Sequence, residues 1–134
     1  MKTMLSNALS RVAPRFLWRH RLNKWGAETG EAEEVLLPWI CDRRKISIDV
    51  GAAEGTYAMR MLLYSSRVIA FEPRPEAAGP LQRLFQNTHI VTVAQVALSS
   101  EAGRTTLRRP ADRPMLSTIE AKNGLSESAS TDTM

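Results

Sequence analysis

The segment Asp49-Val50-Gly51-Ala52-Ala53-Glu54-Gly55-Thr56-Tyr57 combines an acid, two glycines and a run of small side chains. Gly51 and Gly55 let the backbone turn sharply and approach a ligand closely, and Ala52 and Ala53 keep the loop slim. Glu72 stands about twenty residues further on, the spacing at which a strand-helix-strand unit brings a carboxylate to the end of its second strand. A carboxylate there can accept hydrogen bonds from both hydroxyls of a ribose, so the pattern implies a nucleoside-containing ligand. The same residues also admit a purely structural reading, in which Gly51 closes a turn and Glu72 caps the next helix.

The type of nucleoside follows from what the loop lacks. The dinucleotide fingerprint Gly-x-Gly-x-x-Gly needs glycines where Ala53 and Thr56 stand. Their replacement weakens the case for close passage of a pyrophosphate and for tight packing of helix on strand. S-adenosylmethionine (AdoMet) has no phosphate; its methionine part carries an ammonium and a carboxylate. The acid-x-Gly-x-x-x-Gly pattern of Asp49, Gly51 and Gly55 suits AdoMet better, with a nicotinamide enzyme as the rival reading.

The elements that must hold this loop alternate between strand and helix signals. Residues 31 to 39 have helical spacing, with Ala32, Val35, Leu36 and Trp39 expected on one face. Residues 46 to 50 form a short apolar strand, and residues 56 to 64 return to helical spacing. The unbroken apolar run Val68-Ile69-Ala70-Phe71 suits a strand buried on both faces of a parallel sheet. Pro75 opens a helix that Gly79 and Pro80 should kink or delay. A third strand over residues 90 to 93 is expected to continue through Val96-Ala97-Leu98, and residues 104 to 107 offer one more strand. This order predicts an α/β fold, the amino-terminal half of a doubly wound, mostly parallel, Rossmann-like sheet.

Composition sets the frame. A chain of 134 residues with 43% hydrophobic and 24% charged residues suits one soluble domain. No apolar run approaches the roughly 20 residues that span a bilayer, and Arg11 and Arg15 interrupt the only candidate leader, so a cytoplasmic protein is expected. Cys41 is the only cysteine; it excludes an internal disulfide and a cysteine-based zinc site, and its apolar neighbours favour packing over catalysis. No metal site is expected. His89 reads as a surface loop residue.

The net charge of +4 is concentrated at the amino terminus, where Lys2, Arg11, Arg15, Arg19, Arg21 and Lys24 precede the first acid, Glu28. Residues 1 to 27 are therefore read as a basic amphipathic arm, with Leu5, Leu9, Val12, Phe16 and Leu17 at near-helical spacing and Trp18 close by. Such an arm suits a docking helix, a solvated face, or a peripheral contact with an anionic membrane or a partner protein; nucleic acid is not expected. Residues 28 to 109 make the partial AdoMet-binding domain. Residues 110 to 134 are rich in Ser and Thr, poor in large apolar residues, and expected to be disordered.

In order along the chain, Ile48-Asp49-Val50-Gly51-Ala52 with Gly55 and Tyr57, Val68-Ile69-Ala70-Phe71-Glu72-Pro73 with Pro75-Glu76-Ala77, and Val96-Ala97-Leu98-Ser99 with Gly103 resemble the FkbM-type methyltransferases, a branch of the class I AdoMet-dependent enzymes. The resemblance covers roughly residues 31 to 119. The family pattern has Asn where Glu54 or its neighbour Ala53 stands. The resemblance implies that AdoMet is the methyl donor and that a hydroxyl of a sugar or other natural product is the acceptor. It places Asp49 and Gly51 beside the methionine part, Glu72 on the ribose and the Val96-Ala97 backbone beside the adenine. Ala52, Ala53, Glu54, Gly55 and Tyr57 complete the cofactor set. The family continues with a Lys-Ile-Asp-x-Glu-Gly-like strand that nothing here matches, so the chain is expected to be truncated before the acceptor half of the site, and no catalytic base is identified. A non-catalytic remnant is the remaining alternative.

Overall fold

The computed structural model describes residues 12–25, 32–104, 106–110, 119 and 129–133. Two compact units divide the chain, Met1–Gln95 and Val96–Met134. In the first unit, helix α1 (Pro14–Trp25) is followed by a 3-10 turn (Ala32–Leu36) that leads into a single helical turn, α2 (Leu37–Ile40). Strand β1 (Ile46–Val50), helix α3 (Thr56–Met61), strand β2 (Arg67–Phe71), helix α4 (Pro75–Phe85) and strand β3 (Val91–Ala94) complete it. The strands form a parallel sheet in the order β1-β2-β3. A parallel pair cannot be closed by a tight turn, and α3 and α4 supply the two crossovers. The fold is α/β, as the alternating signals predict.

The registers Ser47↔Val68 and Asp49↔Ala70 continue as Val68↔Val91 and Ala70↔Val93, so these residues share one face. On that face Val68, Ala70 and Val91 pack with Ala58, Leu62, Leu63, Leu81 and Phe85 from the crossovers and with Trp18 of α1. The opposite face carries Ile46, Ile48 and Val50, which are 55%, 56% and 63% exposed.

Helix α1 docks through Leu17, one of the residues its spacing predicts, and through the adjacent Trp18, while Phe16 turns outward. Leu17 and Trp18 are buried, whereas Val12 and Phe16 are exposed; Leu5 and Leu9 lie outside the described residues. The indole of Trp18 fixes the helix rotation: Nε1 donates to Thr88 Oγ1 at 3.2 Å, and the ring meets Phe85 at a centroid distance of 5.0 Å. Arg15 adds a second anchor by donating to the carbonyl oxygens of Ser65 and Ser66.

Residues 31 to 39 also depart from expectation. Ala32–Leu36 is a 3-10 turn whose buried residue is Glu34, paired with Arg60 of α3, and Leu37 is the buried residue of α2. Val35, Leu36 and Trp39 are exposed. A buried carboxylate is paired with a cation, and with Glu34 turned inward to Arg60 the expected apolar stripe faces outward. Helix α3 stops at Met61, short of Tyr64, and β3 ends at Ala94 without continuing to Leu98.

Helix α4 runs unbroken through Pro80. Proline removes one backbone donor and crowds the residue before it, and here that residue is Gly79, whose missing Cβ lessens the clash. Pro75 occupies the first turn, where no donor is needed.

In the second unit, β4 (Thr106–Pro110) pairs antiparallel with β5 (Ala129–Thr133) in the register Leu107↔Asp132. Strand β5 falls within the stretch read from sequence as disordered, and β4 starts later than the predicted 104 to 107.

Candidate functional site

The loop between β1 and α3 sits at the carboxyl end of the sheet, the end at which parallel α/β sheets bind ligands. It is tied to the neighbouring strand. Gly51 N and Ala52 N both donate to Phe71 O, at 2.8 and 3.0 Å, and Ala53 N donates to Glu72 Oε2 at 2.7 Å. The turn closes with Gly55 N on Ala52 O at 2.6 Å. Three loop residues have positive φ: Gly51 (75°), Ala53 (48°) and Gly55 (83°). The left-handed conformation is unfavourable for an L-residue such as Ala53. Its bond to Glu72 helps hold it there.

The two glycines do different work. A Cβ at Gly51 would meet nothing within 4 Å, so that position faces open space. A Cβ at Gly55 would collide with Leu81 Cδ1 of α4. Gly55 therefore supplies close packing at the start of α3, one residue before the position, Thr56, at which the dinucleotide fingerprint has its third glycine. A second glycine at the helix start serves packing as readily as ligand approach.

Asp49 lies on the packed face of β1 and is buried. Helix α3 has no side-chain cap of its own and no acid in its first turn, and the Asp49 carboxylate accepts the N–H of Ala58 instead. Burial pushes the Asp49 carboxyl above its ordinary range; the Ala58 bond pulls it down, and the negative charge of Glu72 pushes it further up. Its Oδ2 atom is buried without a hydrogen-bond partner.

Glu72, at the end of β2, is 1% exposed. Oε1 accepts from Arg74 N at 2.9 Å and Arg74 Nε at 2.8 Å; Oε2 accepts from Ala53 N at 2.7 Å and Arg74 Nη2 at 3.3 Å. Burial raises the Glu72 carboxyl, but the Arg74 side chain and backbone, with Ala53, outweigh it and hold the group below its ordinary range. Arg74 is itself buried. It is the residue of this site that sequence reasoning missed, and its only signal was position, two residues past the acid and next to the helix-opening Pro75.

The structure thus brings together Asp49, the 51–55 loop and Glu72. Ala52 is buried under the loop, Glu54 is exposed, and Tyr57 is half-buried on α3. Val96 and Ala97 belong to the second unit, where Val96 is exposed. Cys41 is half-buried, and Ser47 Oγ donates to its sulfur at 3.6 Å. His89 is exposed beside a hollow of about 250 Å³ at the amino-terminal end of β3, floored by Phe85, Val91 and Val93. The loop, in contrast, stands at the carboxyl end of β1. Among the described residues, no group of three or more His, Cys, Asp or Glu could hold a metal ion, and no helix is long and apolar enough to cross a membrane.

No protein-family model matches the sequence, and no curated protein matches it. Several solved structures match part of the chain. An rRNA methylase from Streptococcus thermophilus superposes with a TM-score of 0.44 at 16% identity, over 48% of this chain and 40% of that one. The YcgJ protein from Bacillus subtilis gives 0.46 at 18% identity, over 55% and 33%. A dimethyladenosine transferase from Plasmodium falciparum gives 0.44 at 11% identity, over 53% and 26%. The matched region is less than half the length of each of these proteins.

Proposed function

We propose that this chain holds the methyl-donor half-site of an AdoMet-dependent methyltransferase of the FkbM type, which transfers a methyl group to a hydroxyl of a sugar or other natural product. The observation that carries the reading is the joining of Glu72 to the glycine loop through Ala53 N, beside a buried Asp49 oxygen with no partner. Such an oxygen fits a ligand that brings a cation, as the methionine ammonium does. Glu72 would hold the ribose, and Gly51 leaves the space in which a ligand can lie against the backbone. Ala52, Glu54, Gly55 and Tyr57 would shape the rest of the donor site. When bound, AdoMet supplies an electrophilic methyl group on its sulfonium. What the protein must add is alignment of that group with the acceptor and removal of the hydroxyl proton. We place those acceptor-side groups outside this three-stranded unit.

The test is a calorimetric titration of the chain with AdoMet and, separately, NAD, repeated on Gly51→Asn. Asn tolerates the left-handed conformation better than other side chains, and a Cβ at Gly51 meets no protein atom within 4 Å, so the fold should survive. AdoMet should bind, NAD should not, and the variant should lose at least about tenfold in affinity, the equivalent of roughly 1.4 kcal/mol. Equal binding by Gly51→Asn would remove the loop from the site. Binding of NAD in preference to AdoMet would make the nicotinamide reading the better one.

A further inference from the structure

Glu72 is expected to receive the two hydroxyls of a ribose, yet its carboxylate is already fully engaged. A carboxylate offers about four acceptor sites, and Arg74 N, Arg74 Nε, Ala53 N and Arg74 Nη2 take up four. Two of these donors are backbone N–H groups that belong to the turn and the loop. The other two, Nε and Nη2, are the fork of one guanidinium, with one donor on each carboxylate oxygen.

We infer that the Arg74 guanidinium is an internal occupant of the diol subsite on Glu72, and that a nucleoside enters by exchanging its vicinal 2′- and 3′-hydroxyls for the Nε and Nη2 donors. This inference rests on the donor-site reading above and names the residue that sets its affinity and its selectivity for a diol. A guanidinium edge and a vicinal diol both present two adjacent hydrogens to the two oxygens of one carboxylate. Removing Arg74 leaves each oxygen with one backbone donor and one free acceptor site, the arrangement a diol needs. A ligand that lacks both hydroxyls cannot replace the two bonds and binds with the guanidinium still on Glu72.

The displaced guanidinium has somewhere to go. Glu54 and Glu76 are exposed, and both carboxylates already act on Arg74 electrostatically. Both acids continue to attract the guanidinium once it leaves Glu72.

The experiment measures binding of AdoMet, adenosine and 2′,3′-dideoxyadenosine to the native chain, Arg74→Met and Arg74→Lys at about pH 8, where exposed carboxylates are ionised. Arg74→Met fills similar space without donors and should bind AdoMet and adenosine about tenfold more tightly than the native chain. Arg74→Lys keeps the charge but loses the fork, and should fall between them. Neither substitution should change dideoxyadenosine binding more than about twofold, within the spread of additive, uncoupled effects. In the native protein, saturating adenosine should move the Arg74 Nε–H resonance in a ¹⁵N correlation spectrum to the position of a solvated arginine, a readout that does not need any variant to fold. Equal affinities for adenosine in all three proteins, or an unmoved Nε–H signal in the adenosine complex, would overturn the exchange while leaving the donor site intact. Failure of every protein to bind AdoMet or adenosine would overturn the donor reading, and the exchange with it.

Discussion

The two faces of the three-stranded sheet differ in nearly everything except backbone. On one, Val68, Ala70 and Val91 are sealed beneath helices, and α1 closes the layer with the buried Trp18. On the other, Ile46, Ile48 and Val50 are more than half exposed although they belong to the same kind of apolar, β-branched strand. Strand composition therefore says that a residue suits a sheet; which side is covered depends on where the crossovers pass. The candidate site follows the same division. Asp49 points to the packed face and is desolvated, so its ionisation and its capping of α3 are linked to the core. Its neighbours Ile48 and Val50 are exposed.

The largest effect should come from the packed face. Trp18→Ala removes an aromatic core side chain and leaves Thr88 without its indole partner, and should lower unfolding free energy by about 3 to 5 kcal/mol in denaturant melts. A loss of no more than about 0.5 kcal/mol, the ordinary size for a surface change, would mean that α1 is not part of the core. A smaller effect is expected at Asp49 and depends on pH. Because its folded carboxyl is raised, the stability it contributes is present at low pH and is lost as pH rises through the raised value. Asp49→Asn does not titrate, so its stability relative to the native chain should improve as pH increases, while AdoMet affinity falls with loss of the negative charge. A stability difference that stays constant across the acid range would show that burial does not govern Asp49. The smallest effect should be on the exposed face. Ile48→Thr keeps a β-branched strand residue and should change stability by no more than about 0.5 kcal/mol. A loss several times larger would show that something covers this face in solution.

Much of the fold was legible because its signals are local. The apolar runs at residues 46 to 50 and 67 to 71, the glycine loop and Pro75 identify the strand-helix order and the carboxyl end of the sheet. What escaped depends on partners distant in sequence. Trp18 sets the rotation of α1 through Thr88, so helical spacing found Leu17 but could not tell that Phe16 faces outward. Glu34 is buried because Arg60 awaits it on α3, which no periodicity in residues 31 to 39 could reveal. Gly55 is needed because Leu81, on another helix, lies against it. In the site, the position of Glu72 could be read from spacing, but its occupancy by Arg74 could not, because that depends on rotamers and burial.

The tethering of the loop has a consequence for its motion. Gly51 and Ala52 both hang on Phe71 O, and Ala53 hangs on Glu72, so three successive amides are guarded by β2 and none by their own strand. Gly51 and Ala52 share one acceptor, so their amide hydrogens should become exchangeable together when the end of β2 parts from the loop. Its clock is then set by the parting of two strands, not by the flexibility of its glycines.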